Sequence, residues 1–165
     1  MAKITLGGNA VNTAGDLPAK GEKLPNFNLT NGALEDKTPA NYTGKKLVLN
    51  IFPSVDTGVC AASVRAFNQK ASQKDNTVVL NISRDMPFAF KRFCAAEGLE
   101  GVETLSELRD ATFSENYKVR MIDGGMKDFF SRAVIVADEN GTITHTEQVP
   151  EIGQEPDYET ALAAL

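Results

Sequence analysis

The chain has 165 residues, 42% of them hydrophobic, with a formal net charge of −5 and an isoelectric point near 4.9. This length and apolar content suit one globular domain over residues 1–165, since a chain of about 150 residues buries roughly 68–70% of its unfolded surface. The acidic balance argues against nucleic-acid or anionic-membrane partners, which want a basic face, and no apolar run reaches the roughly 18–20 residues of a membrane span.

The amino-terminal residues Met1 to Gly8 lack the extended apolar core of a secretory signal. Ile4-Thr5-Leu6, then Gly7-Gly8, then Ala10-Val11 read as a small hairpin within an extension of about 25 residues. Asn26 to Leu29 alternates as a further short strand. Leu47 to Phe52, interrupted only at Asn50, and Thr77 to Ser83 are apolar runs that suit central strands covered on both faces. Between them the spacing predicts a helix over Ala61 to Ala71, with Cys60, Val64, Phe67 and Ala71 near one face. Asp85-Met86-Pro87 signals the start of a second helix, Asp85 as its cap and Pro87 in its first turn. That helix carries Phe90, Phe93 and Cys94 and ends near Gly98. Ser106 to Lys118 reads as another short helix. Ala133 to Ala137 is a strand, Asp138 to Gly141 a turn with the Asn-Gly hairpin signal, and Thr142 to about Val149 the returning strand. Tyr158 to Leu165 closes the chain as an amphipathic helix. This order fits a mixed α/β sandwich of the thioredoxin kind.

Cys60 and Cys94 are too few for a disulfide scaffold, and without a signal peptide the expected compartment is the reducing cytoplasm. There a cysteine pair is redox-active or unbonded more often than structural. The two lie far apart and His145 is the lone histidine, so the paired-ligand spacings of zinc sites are absent. The octapeptide Pro53-Ser54-Val55-Asp56-Thr57-Gly58-Val59-Cys60 leads from a strand into a helix. A cysteine there meets unpaired N–H groups and the positive end of the helix dipole, a setting in which thiols tend to ionise more readily, and the thiolate is the nucleophile. The competing reading is a small buried hydrophobe, the usual fate of a free cysteine.

Pro53, Thr57 and Cys60 reproduce Pro-x-x-x-Thr-x-x-Cys, and on these residues the chain resembles the peroxiredoxins. Phe93-Cys94-Ala95-Ala96-Glu97-Gly98-Leu99 resembles the resolving-cysteine segment of the thiol peroxidase branch. Ser131-Arg132-Ala133-Val134-Ile135-Val136 is similar to the strand that bears an active-site arginine, and the Gly-rich hairpin and the final helix also resemble that branch. The resemblance spans essentially the whole chain. It implies a thioredoxin-like three-layer sandwich with a mixed central sheet and an amino-terminal β-hairpin. It also implies reduction of hydrogen peroxide or organic hydroperoxides through a Cys60 sulfenic acid and a Cys60–Cys94 disulfide, with thioredoxin as reductant. No metal, haem, flavin or nicotinamide is implied, and the chain is expected to pair as a homodimer with the Cys60 region near the interface.

Each site residue has a plainer alternative. Thr57 can place its hydroxyl beside the sulfur, or simply cap the helix; the two are compatible. Pro53 can shield the pocket or only end the strand. Arg132 would bring a permanent forked donor to sulfur and peroxide; residues alone do not single it out over Arg65 or Arg120. Cys94, on the face with Phe90 and Phe93, is either inert core or the partner that attacks the sulfenic acid. The disulfide needs Cα atoms roughly 4.4–6.8 Å apart, so both helix segments are expected to loosen during turnover. Phe88, Phe90 and Phe93 either line an apolar mouth for organic peroxides, with Phe88 and Phe93 touching substrate, or pack in the core. Two competing functions share the reactive Cys60. A thioredoxin-like disulfide oxidoreductase is disfavoured by the absence of Cys-x-x-Cys, and a non-catalytic peroxide sensor would consume peroxide once per chain.

Overall fold

The computed structural model describes residues 1–71 and 73–165, in which the elements run as follows. Strands β1 (Lys3–Leu6) and β2 (Asn9–Asn12) form the amino-terminal hairpin. After them come β3 (Leu29–Asn31), β4 (Asp36–Lys37), β5 (Lys46–Ile51), α1 (Gly58–Ala71), β6 (Thr77–Ser83) and α2 (Pro87–Glu97). The chain continues through β7 (Glu103–Ser106), α3 (Thr112–Tyr117), β8 (Ala133–Ala137), β9 (Ile143–Gln148) and α4 (Tyr158–Ala163). The main sheet has the order β4-β3-β7-β6-β5-β8-β9. β5, β6 and β7 are parallel, and the flanking pairs are antiparallel, so the sheet is mixed.

The alternation of β5 sorts the core into two layers. Leu47, Leu49 and Ile51 join Leu80, Ile82, Ile135 and the aromatic rings of Phe27, Phe113, Tyr117 and Phe130 on the face covered by α3. Val48, with Val134 and Val136, meets Phe67 of α1 and Ala161 of α4 on the opposite face. Burying each such large side chain contributes about 1.5–3 kcal/mol. Helices on both faces of a mixed sheet make the thioredoxin-like three-layer arrangement. Because β5 and β6 are parallel neighbours with Ile51 opposite Ile82, the loops that follow them emerge side by side at one sheet edge. That edge, beyond the carboxyl ends of parallel strands, is where such sheets place their sites.

Three local expectations change. The segment Asn26 to Leu29 is not a strand until Leu29: the Pro25 and Asn26 carbonyls are taken by the Tyr117 hydroxyl and the Asn116 amide instead of a ladder. Ser106 to Lys118 is not one helix. Ser106 ends β7, and the helix forms only from Thr112, where the buried Glu107 carboxylate receives the Ser114 N–H and hydroxyl. Asp85 does not cap α2; Met86 stands at that position with no side-chain cap, and the Asp85 carboxylate turns elsewhere.

Candidate active site at the start of α1

Cys60 is the third residue of α1 and fully buried. The first helical bond runs from Ala61 N to the Thr57 carbonyl, so the N–H groups of Gly58, Val59 and Cys60 precede any intrahelical partner and present the positive end of the helix. Arg132 comes from the start of β8, antiparallel to β5, and is 2% exposed. Its Nη2 donates to the Cys60 sulfur at 3.3 Å and its Nε to the Ile152 carbonyl at 2.8 Å. Among the described residues Nη1 has no partner and no carboxylate pairs with Arg132. A buried permanent cation without a carboxylate is costly, and one of its donors is spent on this sulfur.

The loop that delivers Cys60 is fixed from the neighbouring strand. Asp85, just past β6, accepts from the Ser54 hydroxyl at 2.7 Å, the Val55 N–H at 2.9 Å and the Ser83 hydroxyl. Ser54 in turn accepts from Asp56 N at 3.1 Å through its hydroxyl, and through its carbonyl from the Thr57 hydroxyl at 3.2 Å. Thr57 thus stands at the helix start, half-buried, with its hydroxyl tied into the loop, and Pro53 is buried. Below the first turn, the Ser63 hydroxyl donates to the Cys60 carbonyl at 2.8 Å. The Asn50 side-chain amide of β5 donates to the Ser63 hydroxyl at 3.2 Å and to the side-chain Oδ1 of Asn81 on β6 at 3.0 Å.

The Redoxin family matches residues 19–162. Thiol peroxidases of Mycobacterium tuberculosis and Corynebacterium glutamicum are 53% and 51% identical over 165 residues, covering 100% of this chain and 99% of each relative. The chain belongs to the thiol peroxidase family. Among solved structures, a peroxiredoxin-like protein from Aquifex aeolicus aligns with a TM-score of 0.91 at 30% identity, over 98% of this chain and 95% of that one. A thiol peroxidase from Chromobacterium violaceum shares the fold, with a TM-score of 0.90 at 21% identity over 98% and 93%. The chain is accordingly a peroxiredoxin-type enzyme.

Cys94 packs against the same apolar cluster that contains Cys60, yet no bond joins the two sulfurs. Cys94 lies half-buried on α2, and both cysteines are free thiols. Burial pushes the Cys94 thiol up. Phe90 and Phe93 pack with Phe52, Val55, Cys60 and Val64, which places Phe93 against the cysteine's own cluster, whereas Phe88 is 61% exposed and separate from it. Two ion pairs tie α2 to the cysteine's segment: Arg92 to Asp56 at 2.8 Å and Arg65 to Glu97 at 3.0 Å. Sequence reasoning did not single out Asp85, Ser63 or Asn50 for the site. Asn50 and Asn81, facing each other in register inside two apolar strands, carried a readable signal.

Proposed function

We propose that the chain reduces hydroperoxides in a two-cysteine cycle recycled by thioredoxin, and the contact between Arg132 Nη2 and the Cys60 sulfur carries this reading. The Cys60 thiolate attacks the terminal peroxide oxygen. The S–O bond forms as the O–O bond breaks, the peroxide gains two electrons, and the departing oxyanion takes a proton to leave as alcohol, or as water from hydrogen peroxide. Charge builds on both oxygens during this step, and the unpartnered Arg132 Nη1 is a preorganised donor for it. Thr57 and Pro53 keep the loop in shape and water out, and Phe93 lends the pocket its apolar wall.

Cys94 then attacks the Cys60 sulfenic acid: an S–S bond forms and hydroxide leaves with the Cys94 proton as water. Because α2 is held by packing and ion pairs, α2 and the start of α1 must loosen for this step. Thioredoxin's dithiol returns two electrons and restores both thiols. A reducing cytoplasm suits such a cycle, and a homodimer with exposed apolar residues near the Cys60 edge completes the reading.

A coupled assay with thioredoxin, its reductase and NADPH tests the cycle. Native protein should turn over. Cys60→Ser should be inert, and Cys94→Ser should be oxidised once by peroxide yet fail to recycle with thioredoxin. Equal activity of all three proteins would falsify the mechanism, and a single stoichiometric oxidation of native protein would mark a sensor instead.

A further inference from the structure

The amino-terminal hairpin touches neither cysteine in the cycle above, yet it is fastened to the segment that aims Arg132. The arginine's main chain is anchored by β9: its carbonyl accepts from Val149 N at 3.0 Å and from the Gln148 side-chain amide at 3.0 Å. Among the described residues its side chain has one acceptor besides the sulfur, the Ile152 carbonyl. Ile152 belongs to no helix or strand, so that carbonyl stays in place only if its segment is held from outside.

The hairpin supplies the hold. Thr5 of β1 brackets the segment, its N–H donating to the Pro150 carbonyl at 2.8 Å and its carbonyl accepting from Ile152 N at 2.9 Å. Glu151, between them, accepts from the Thr5 hydroxyl, from Gly7 N at 2.9 Å, from Gly8 N at 3.2 Å and from Gly153 N at 3.3 Å. Gly7 and Gly8 adopt φ of +57° and +83°, a left-handed pair that turns successive N–H groups toward one anion and that side chains would strain. These bonds, the Thr5 hydroxyl foremost, hold the Glu151 carboxyl at about 2. Beneath them the Ile152 side chain is buried with Ile4 and Val11 of the hairpin and with Met121.

We propose that the hairpin is a positioning device for Arg132, fastened through Glu151, and that it fixes the Ile152 carbonyl so that the guanidinium faces Cys60. Glu151 meets neither sulfur nor peroxide; it is a positioning residue. The inference rests on the peroxidase reading of Cys60 and Arg132.

The test uses the full chain carrying Glu151→Gln, with Cys94→Ser as background for labelling. Three quantities are measured: the second-order rate with hydrogen peroxide, the pH profile of Cys60 alkylation by iodoacetamide, and the melting temperature. The rate should fall about five- to tenfold, the scale of one ordinary hydrogen bond, and the alkylation profile should move to higher pH. Combined with Arg132→Lys, Glu151→Gln should cost no more than Arg132→Lys alone, because the two act through one group. If Glu151→Gln does not fold, Thr5→Val, which spares the backbone bonds, takes its place with the same expectations. A lower melting temperature with unchanged rate and profile overturns the proposal, as does full additivity with Arg132→Lys. Native protein inert toward peroxide would overturn the reading of Cys60 itself.

Discussion

Arg132 shows how much one side chain's setting can say. Of three donor nitrogens on its guanidinium, one meets the Cys60 sulfur, one a main-chain carbonyl, and one remains open in a buried site. Lysine cannot reproduce these three directions, because its donors diverge from a single nitrogen and not from a planar fork. Arg132→Lys should therefore slow the reaction with hydrogen peroxide by about ten- to a hundredfold, the kinetic equivalent of roughly 1.5–3 kcal/mol for a lost charge-assisted bond. Stopped-flow kinetics under pseudo-first-order peroxide would measure it, and an unchanged rate would remove the arginine from the chemistry. Cys60 and Thr57 were legible because their spacing and neighbours carry a signature. Arg132 alone reads as a solvated surface residue, and only the fold reveals its burial. Asp85 was misread because its local context, an acid two residues before a proline, matches a helix cap. Its real partners, Ser54 and Val55, come from thirty residues upstream and meet it only because β5 and β6 run parallel.

At the scale of elements, α2 is joined to the Cys60 segment by an apolar patch and two partly or fully exposed ion pairs. Exposed pairs contribute only about 0.2–1 kcal/mol each, so they bias a movement without forbidding it. Arg92→Ala should leave peroxide reactivity intact and speed formation of the Cys60–Cys94 disulfide by about two- to fivefold. Rapid quenching with an alkylating reagent and mass analysis would follow it; a slower disulfide step would contradict a latch. The long apolar strands were readable in place, β6 to the residue. β7 was not, because four residues with Glu103 and Thr104 among them carry no apolar run of their own. Its pairing with β6 comes from across the sheet.

Over the whole molecule, the acidic surface is broken by exposed apolar side chains, among them Met86, Phe88, Leu108 and Phe129. Leu108 and Phe129 border one cleft with Arg84, and Met86 and Phe88 follow Arg84 at the same sheet edge as the Cys60 loop. Clustered apolar exposure of this kind marks contact surfaces, and a second copy is the partner expected here. Sedimentation equilibrium should return twice the 17.8 kDa chain mass, and Phe88→Asp with Leu108→Asp should return the single mass. Native protein at the single mass would dismiss the pairing. The buried Asn50, Asn81 and Ser63 set a different limit on the molecule. An engineer after heat resistance would be drawn to this polar seam in an oily interior and fill it with leucine and alanine. The melting point would climb, but Ser63 could no longer grip the Cys60 carbonyl, and the first turn of α1 would lose its footing. Robustness and reactivity compete for the same three side chains.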